Sequence, residues 1–136
     1  MKKLLEIFLG HFEFIYADPR YRFTDSRTHA PNASLTVSGP DLTWLIVLDR
    51  GQLELSASST RLPGDGFGIS LIRQYVLRDD DIRYLSAPEE VDWARANLEL
   101  IERLFSDASD VESITRALAD LRRSNGEKYW GPAAST

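Results

Sequence analysis

ASLTVSGPDLTWLIVLDRGQLELSAS, residues 33–58, decides the fold. Apolar and polar side chains alternate along it, and two turn signals, Gly39-Pro40-Asp41 and Asp49-Arg50-Gly51, divide it into three runs. A period of two sends successive side chains to opposite faces of a strand. Ala33, Leu35 and Val37 therefore share one face, and Ser34, Thr36 and Ser38 the other. Leu42, Trp44, Ile46 and Leu48 line one face of the next run while Leu45 and Val47 stand on the opposite one, so this strand is expected at the centre, covered on both sides. Leu53, Leu55 and Ala57 then alternate with Gln52, Glu54, Ser56 and Ser58. Asp49-Arg50-Gly51 is expected to be a three-residue loop closed by a left-handed glycine. The three strands should pair in sequence order as an antiparallel meander.

Toward the N-terminus, Leu4, Leu5, Phe8, Phe12, Ile15 and Tyr16 recur at spacings of three and four, which predicts one amphipathic helix of about four turns. Asp18-Pro19 ends it, because the residue before a proline is pushed out of the helical region. Residues 20–25 alternate, with Tyr21 and Phe23 on one face, and read as a further strand; residues 26–32 have no period and read as a loop.

Toward the C-terminus, residues 58–66 hold Pro63 and two glycines and read as a loop. Phe67–Leu77 follows as a short helix weakened at its start by Gly68. Ser86-Ala87-Pro88-Glu89 matches a capping box with proline in the first turn, and it opens a helix of about five turns carrying Val91, Ala94, Leu98, Ile101 and Phe105. Ser109-Asp110-Val111-Glu112 repeats the pattern before a last helix with Ile114, Leu118 and Leu121, its final turn holding Arg122 and Arg123 and its stop at Asn125-Gly126. The expected architecture is α+β: an N-terminal helix, a four-stranded antiparallel meander sheet and three C-terminal helices. Residues 1–126 are expected to form a single α+β domain and 127–136 a C-terminal tail, whose Tyr129 and Trp130 can dock onto the body in cis or onto a second subunit in trans.

Composition narrows function by exclusion. The chain of 136 residues is 43% hydrophobic and 27% charged, which is globular rather than disordered. It has no cysteine, so disulfides, thiolate metal sites and a cysteine nucleophile are excluded. Lys2 and Lys3 before Leu4, Leu5, Ile7, Phe8 and Leu9 imitate a signal peptide, but Glu6, His11 and Glu13 interrupt the run. No stretch approaches the ~20 apolar residues of a membrane span. A cytoplasmic protein without membrane association is expected, and with a net charge of -5 no nucleic-acid partner is.

No motif for chemistry stands out. Asp79-Asp80-Asp81 lacks the alternating ligands, glycine and terminal glutamate of a calcium loop. The only histidines, His11 and His29, have no second imidazole at helical spacing, so no metal site is expected; a general base at His29 oriented by Asp25 or Asp18 lacks a nucleophile signature. Gly64-Asp65-Gly66-Phe67-Gly68 lacks the lysine of a phosphate loop, so no cofactor is implied. What remains is charge: residues 79–112 hold eleven acidic side chains against three arginines. Acidic first turns of helices account for several of them, and a surface that steers a basic partner accounts for the whole.

The run from Phe12 through Tyr21-Arg22-Phe23, the hydroxyl-rich strand at residues 33–38 and the strand ending in Asp49-Arg50-Gly51 resemble a loose group of small uncharacterised bacterial α+β proteins, some of them immunity-like proteins of polymorphic toxin systems. The resemblance covers roughly residues 4–77. It implies a bacterial, cytoplasmic protein that acts by binding, and it carries over no catalytic residue. The expected function is thus a non-enzymatic protein-binding module that uses an acidic helical surface to block a basic, toxin-like partner. Asp79, Asp80, Asp81, Glu89, Glu90 and Trp93 are the candidate partner-binding residues. The alternative is a small-molecule binder or unusual hydrolase with a pocket between sheet and helices lined by Tyr21, Phe23, His29 and Trp44. Self-association is left open by either reading.

Overall fold

A computed structural model describes residues 1–29, 32–62, 64, 66–106 and 110–130, with residue 130 described by its backbone alone. The chain is α+β; among the described residues there are six helices and one antiparallel sheet of five strands in the order β1-β2-β3-β4-β5. The strands are β1 (Arg22–His29), β2 (Asn32–Ser38), β3 (Leu42–Asp49), β4 (Gln52–Ser59) and β5 (Phe67–Gly68). The helices are α1 (Lys2–His11) and α2 (Glu13–Tyr16) before the sheet, and α3 (Ile69–Leu77), α4 (Ala87–Ala96), α5 (Leu98–Leu104) and α6 (Val111–Trp130) after it.

The period of two becomes two unequal faces. Ala33, Leu35, Val37, Leu42, Trp44, Ile46, Leu48, Leu55 and Ala57 are all buried on the inner face beneath the helices. Leu4, Phe8, Phe12 and Ile15 of the first two helices close over them, with the Phe14 ring edge-on to Trp44 at 87°. Ser34, Thr36, Ser38, Thr43, Ser56 and Ser58 point the other way and are only half-buried, and Leu45 among them is exposed. The expectation that β3 is covered on both sides is corrected here: Leu45 is exposed and Val47 half-buried on a hydroxyl-rich outer face, where both line a shallow depression.

Five further expectations change. Residues 26–29 extend β1 rather than forming a loop; every residue of β1 is exposed, so an edge strand gave no apolar alternation to read. Phe67 and Gly68 form a fifth strand against Ala57 and Ser56, not the first turn of a helix. The helix opened by Ser86 breaks at Asn97, whose amide nitrogen donates to the Trp93 carbonyl at 2.9 Å, so four helices rather than three follow the sheet. The first helix breaks likewise at Phe12, with φ −111°. The last helix runs through Asn125-Gly126 to Trp130, so Glu127–Trp130 are helical and Arg122 and Arg123 stand well inside it.

The β3–β4 turn is tighter than expected. Asp49 pairs with Gln52, leaving a two-residue loop in which Arg50 (φ 52°) and Gly51 (φ 81°) are both left-handed, the arrangement of a type I′ turn. Arginine is a poor residue for that conformation and asparagine a good one. Arg50→Asn should therefore raise the unfolding free energy by about 0.5–1 kcal/mol in urea titrations, with an unchanged m-value.

The Ser86 capping box is present, Ser86 Oγ accepting from the Glu89 N–H at 3.3 Å and Glu89 Oε1 from the Ser86 N–H at 3.0 Å. Ser109 lies outside the described residues; at the start of α6, Asp110 Oδ1 accepts from the Ser113 N–H at 3.1 Å.

Candidate functional site

The end of α3 sets the geometry of the acidic loop. Arg78 takes a left-handed conformation, and the Asp79 N–H reaches back to the Gln74 carbonyl at 3.1 Å, so the helix stops and the chain turns outward. Gln74 is buried, and its amide nitrogen donates to the Asp79 carbonyl at 3.2 Å, fixing where the loop begins. That side chain also exchanges two hydrogen bonds with buried Asn125, at 2.7 and 3.1 Å, which ties α3 to α6. From α6, Lys128 donates to the Asp80 carbonyl and pairs with the Asp81 carboxylate at 3.4 Å.

Asp79, Asp80 and Asp81 are exposed at this end of the molecule. Asp79 meets Arg73 only at 4.0 Å, the Asp81 side chain is 90% exposed, and Asp80 has no ion pair among the described residues. Exposed charges held this loosely gain little from intramolecular pairing and keep most of their field. Beside them the Tyr84 and Tyr129 rings lie 6.0 Å apart, and both tyrosines are exposed, as is Leu77. A groove of about 480 Å³, lined by Tyr75, Val76, Leu100, Leu104 and Leu121, opens next to Asp79. Carboxylates, two aromatic rings and an apolar groove thus share one end of the fold.

Glu89, Glu90 and Trp93 are placed differently. Glu89 is committed to the capping box and to Arg83 at 3.4 Å; its hydrogen bonds to Ser86 hold its pKa below the usual value. Glu90 is half-buried and accepts from the N–H and the hydroxyl of Ser70 at 3.0 and 2.9 Å, bracing α4 against the start of α3. Burial raises its pKa, and the Ser70 hydrogen bonds only partly oppose the rise. Trp93 is half-buried against the core. Elsewhere in the acidic stretch, Glu102 accepts from Arg20 at 2.9 Å and from the Tyr21 hydroxyl at 2.8 Å, and Asp92 pairs with Arg95 at 3.0 Å. Much of the negative charge of α4 and α5 is therefore spent on holding the fold. Asp107 lies outside the described residues.

Glu90 has a stability signature of its own. Its folded pKa lies above the ordinary 4.5, so the folded state binds the proton more tightly than the unfolded chain does. Its contribution is full below pH 4.5 and is lost as pH rises through the folded value. Asp18, lowered by Arg20, and Glu89 act oppositely and below their ordinary values. Stability measured from pH 4.5 upward should consequently fall less in Glu90→Gln than in the wild type.

The four residues of the alternative pocket do not meet around one cavity. Tyr21 and Trp44 are buried in the core, and the burial of Tyr21, with its hydrogen bond to Glu102, raises its pKa. Phe23 lies on the inner side of β1 with its ring 5.2 Å from that of Phe8. His29 lines a shallow outer-face depression of about 460 Å³ with Asp25, Arg27, Thr36, Leu45 and Val47. Asp25 is engaged by Arg27 at 2.8 Å and Asp18 by Arg20 at 2.7 Å, so both carboxylates considered as partners of His29 serve arginines. A cleft of about 810 Å³ lies between α1, the β3–β4 turn and the start of α4, where Ile7, His11, Gln52, Leu53, Val91 and Arg95 line it. Among the described residues no three His, Asp or Glu side chains gather as metal ligands, and no helix is long and apolar enough to cross a membrane.

Tyr84 and Tyr129 are the members of the acidic end that sequence reasoning missed as a pair. Sequence patterning puts Tyr129 in a tail and gives no sign of its neighbour; only the folded arrangement brings it to Tyr84. The side chain of Trp130 lies outside the described residues.

No protein-family model matches the chain, and neither a curated protein nor a solved structure was found that matches it.

Proposed function

We propose that this chain is a non-enzymatic protein-binding module of the immunity-like kind, acting in the bacterial cytoplasm, and that it engages a basic partner through the end of the fold carrying Asp79, Asp80 and Asp81. The observation that carries the reading is the juxtaposition of three exposed carboxylates with exposed Tyr84 and Tyr129 beside an apolar groove. Binding surfaces concentrate their energy in aromatic anchors with a surrounding polar rim, and complementary charge speeds the encounter. Glu89, Glu90 and Trp93 are structural in this reading: the first two hold the start of α4, and Trp93 packs against the core.

Photo-crosslinking in cells tests this. A photoreactive residue at Tyr84 should capture a basic protein, and Asp79→Asn/Asp80→Asn/Asp81→Asn should suppress the adduct. A photoreactive residue at Ser56, on the outer sheet face, should not capture it. With the purified pair, the triple substitution should slow association and flatten its salt dependence. Capture that is equal from Tyr84 and Ser56, or an association rate indifferent to the three substitutions, would overturn the reading.

A further inference from the structure

We infer that β1 is a self-association edge, at which two copies of this chain pair antiparallel through residues 25–27 about a twofold axis at Ser26, making one continuous sheet. Among the described residues β1 ends the strand order and pairs only with β2, and all eight of its residues are exposed. It contains neither proline nor lysine, two residues that commonly blunt an edge. The opposite edge is a two-residue strand that runs directly into α3, with Arg122 of α6 lying over its Phe67 ring at 5.0 Å. One edge is thus short and covered, and the other is long and open.

The charges on β1 select both the partner and the register. Asp25 and Arg27 stand opposite Thr36 and Ser34 of β2, so both project from the outer face. Two copies joined about an axis perpendicular to the sheet must place one residue opposite itself, because directly opposed side chains share a face. An axis at Asp25 opposes two aspartates, and an axis at Arg27 opposes two arginines. An axis at Ser26 sets Asp25 against Arg27 of the second copy and repeats that pair across the axis. Cross-strand pairs of opposite charge stabilise a sheet and like charges destabilise it, so this register is the favoured one. The register shift between Phe23 and Asp25 breaks the regular alternation there and ends the contact, which makes the association weak. Within one chain Asp25 and Arg27 already pair at 2.8 Å, which holds both charged groups together on the outer face beside Ser26.

The absence of cysteine makes the test direct. Ser26→Cys should form a disulfide-linked dimer on mild oxidation, whereas Ser58→Cys on β4 should not. In sedimentation the wild type should dimerise reversibly. Asp25→Arg and Arg27→Asp should each raise the dissociation constant about tenfold or more, since two contacts change from attractive to repulsive together. Asp25→Arg/Arg27→Asp should restore it. A wild type that stays monomeric at its highest soluble concentration, with Ser26→Cys unlinked, overturns the proposal, including where the edge instead takes an extended segment of another protein. A dimer indifferent to the single reversals overturns the edge, and a swap that fails to restore dimerisation overturns the register. Circular dichroism checks that each variant is folded, and the Ser26→Cys result stands if a charge variant is not.

Discussion

Asn125→Ala is expected to lower the unfolding free energy by roughly 2–4 kcal/mol, seen as a fall in melting temperature of about 10 °C. Asn125 and Gln74 are both buried, and each amide serves the other as donor and acceptor. Removing one leaves the other with a buried carbonyl oxygen and a buried N–H that water cannot reach, and the lost volume adds a cavity. The size of the loss comes from the orphaned partner rather than from the bond itself. The double variant Gln74→Leu/Asn125→Leu, which replaces both amides with apolar groups of similar volume, should therefore recover much of the stability lost in Asn125→Ala. A double variant as unstable as the sum of its parts would contradict this account. Because Gln74 also donates to the Asp79 carbonyl, Asn125→Ala should in addition speed amide exchange at residues 79–81, so that a core substitution disturbs the proposed binding surface.

Gly39→Ala should cost about 2–3 kcal/mol, although glycine to alanine is ordinarily a mild change. An added Cβ would stand 2.6 Å from Tyr21 Cε1 and 2.9 Å from Cδ1, well inside contact distance. Neither side is free to retreat. The Gly39 N–H donates to the Leu42 carbonyl at 2.8 Å and its carbonyl accepts from Thr60 Oγ1 at 2.9 Å, while the Tyr21 hydroxyl donates to Glu102 at 2.8 Å. A smaller residue at position 21 should relieve the clash, so Gly39→Ala measured in a Tyr21→Leu background should be nearly neutral. Thermal unfolding of the four members of this cycle checks it. An equal cost in both backgrounds would place the strain in the turn backbone instead.

How much of the molecule could be read beforehand depended on burial. β2, β3 and β4 have one face in the core, so alternation marks them, and their pairing in sequence order follows from the turns between them. The Ser86 capping box was legible because its signal is local, two side chains bonding to backbone three residues away. β1 beyond Asp25 was not: Ser26, Arg27, Thr28 and His29 are strand residues held by backbone pairing to β2, and nothing in their side chains announces it. The two residues of β5 are too few for a period to exist.

Asn125 misled for a different reason. Before glycine it reads as a helix terminator, yet its side chain has a buried partner on α3, and tertiary pairing overrode the local preference. The candidate site divides in the same way. The carboxylates at 79–81 were visible as a run of charge, and their exposure follows from the left-handed turn at Arg78. Glu89 and Glu90 looked equivalent to them as acids, but hydrogen bonding to Ser86 and Ser70 gives them other duties.

The order in which the layers leave the ribosome gives the meander a liability. β1 to β4 are complete by Ser59, whereas α3 to α6, which cover part of the inner face, begin only at Ile69. At about 5–20 residues per second, a nascent chain carries that greasy side bare for several seconds with only α1 and α2 to shield it. Chaperones that grip apolar segments would find Ile46 and Leu55 available in that interval, and slowed synthesis downstream of Gly68 should increase aggregation of the newly made polypeptide.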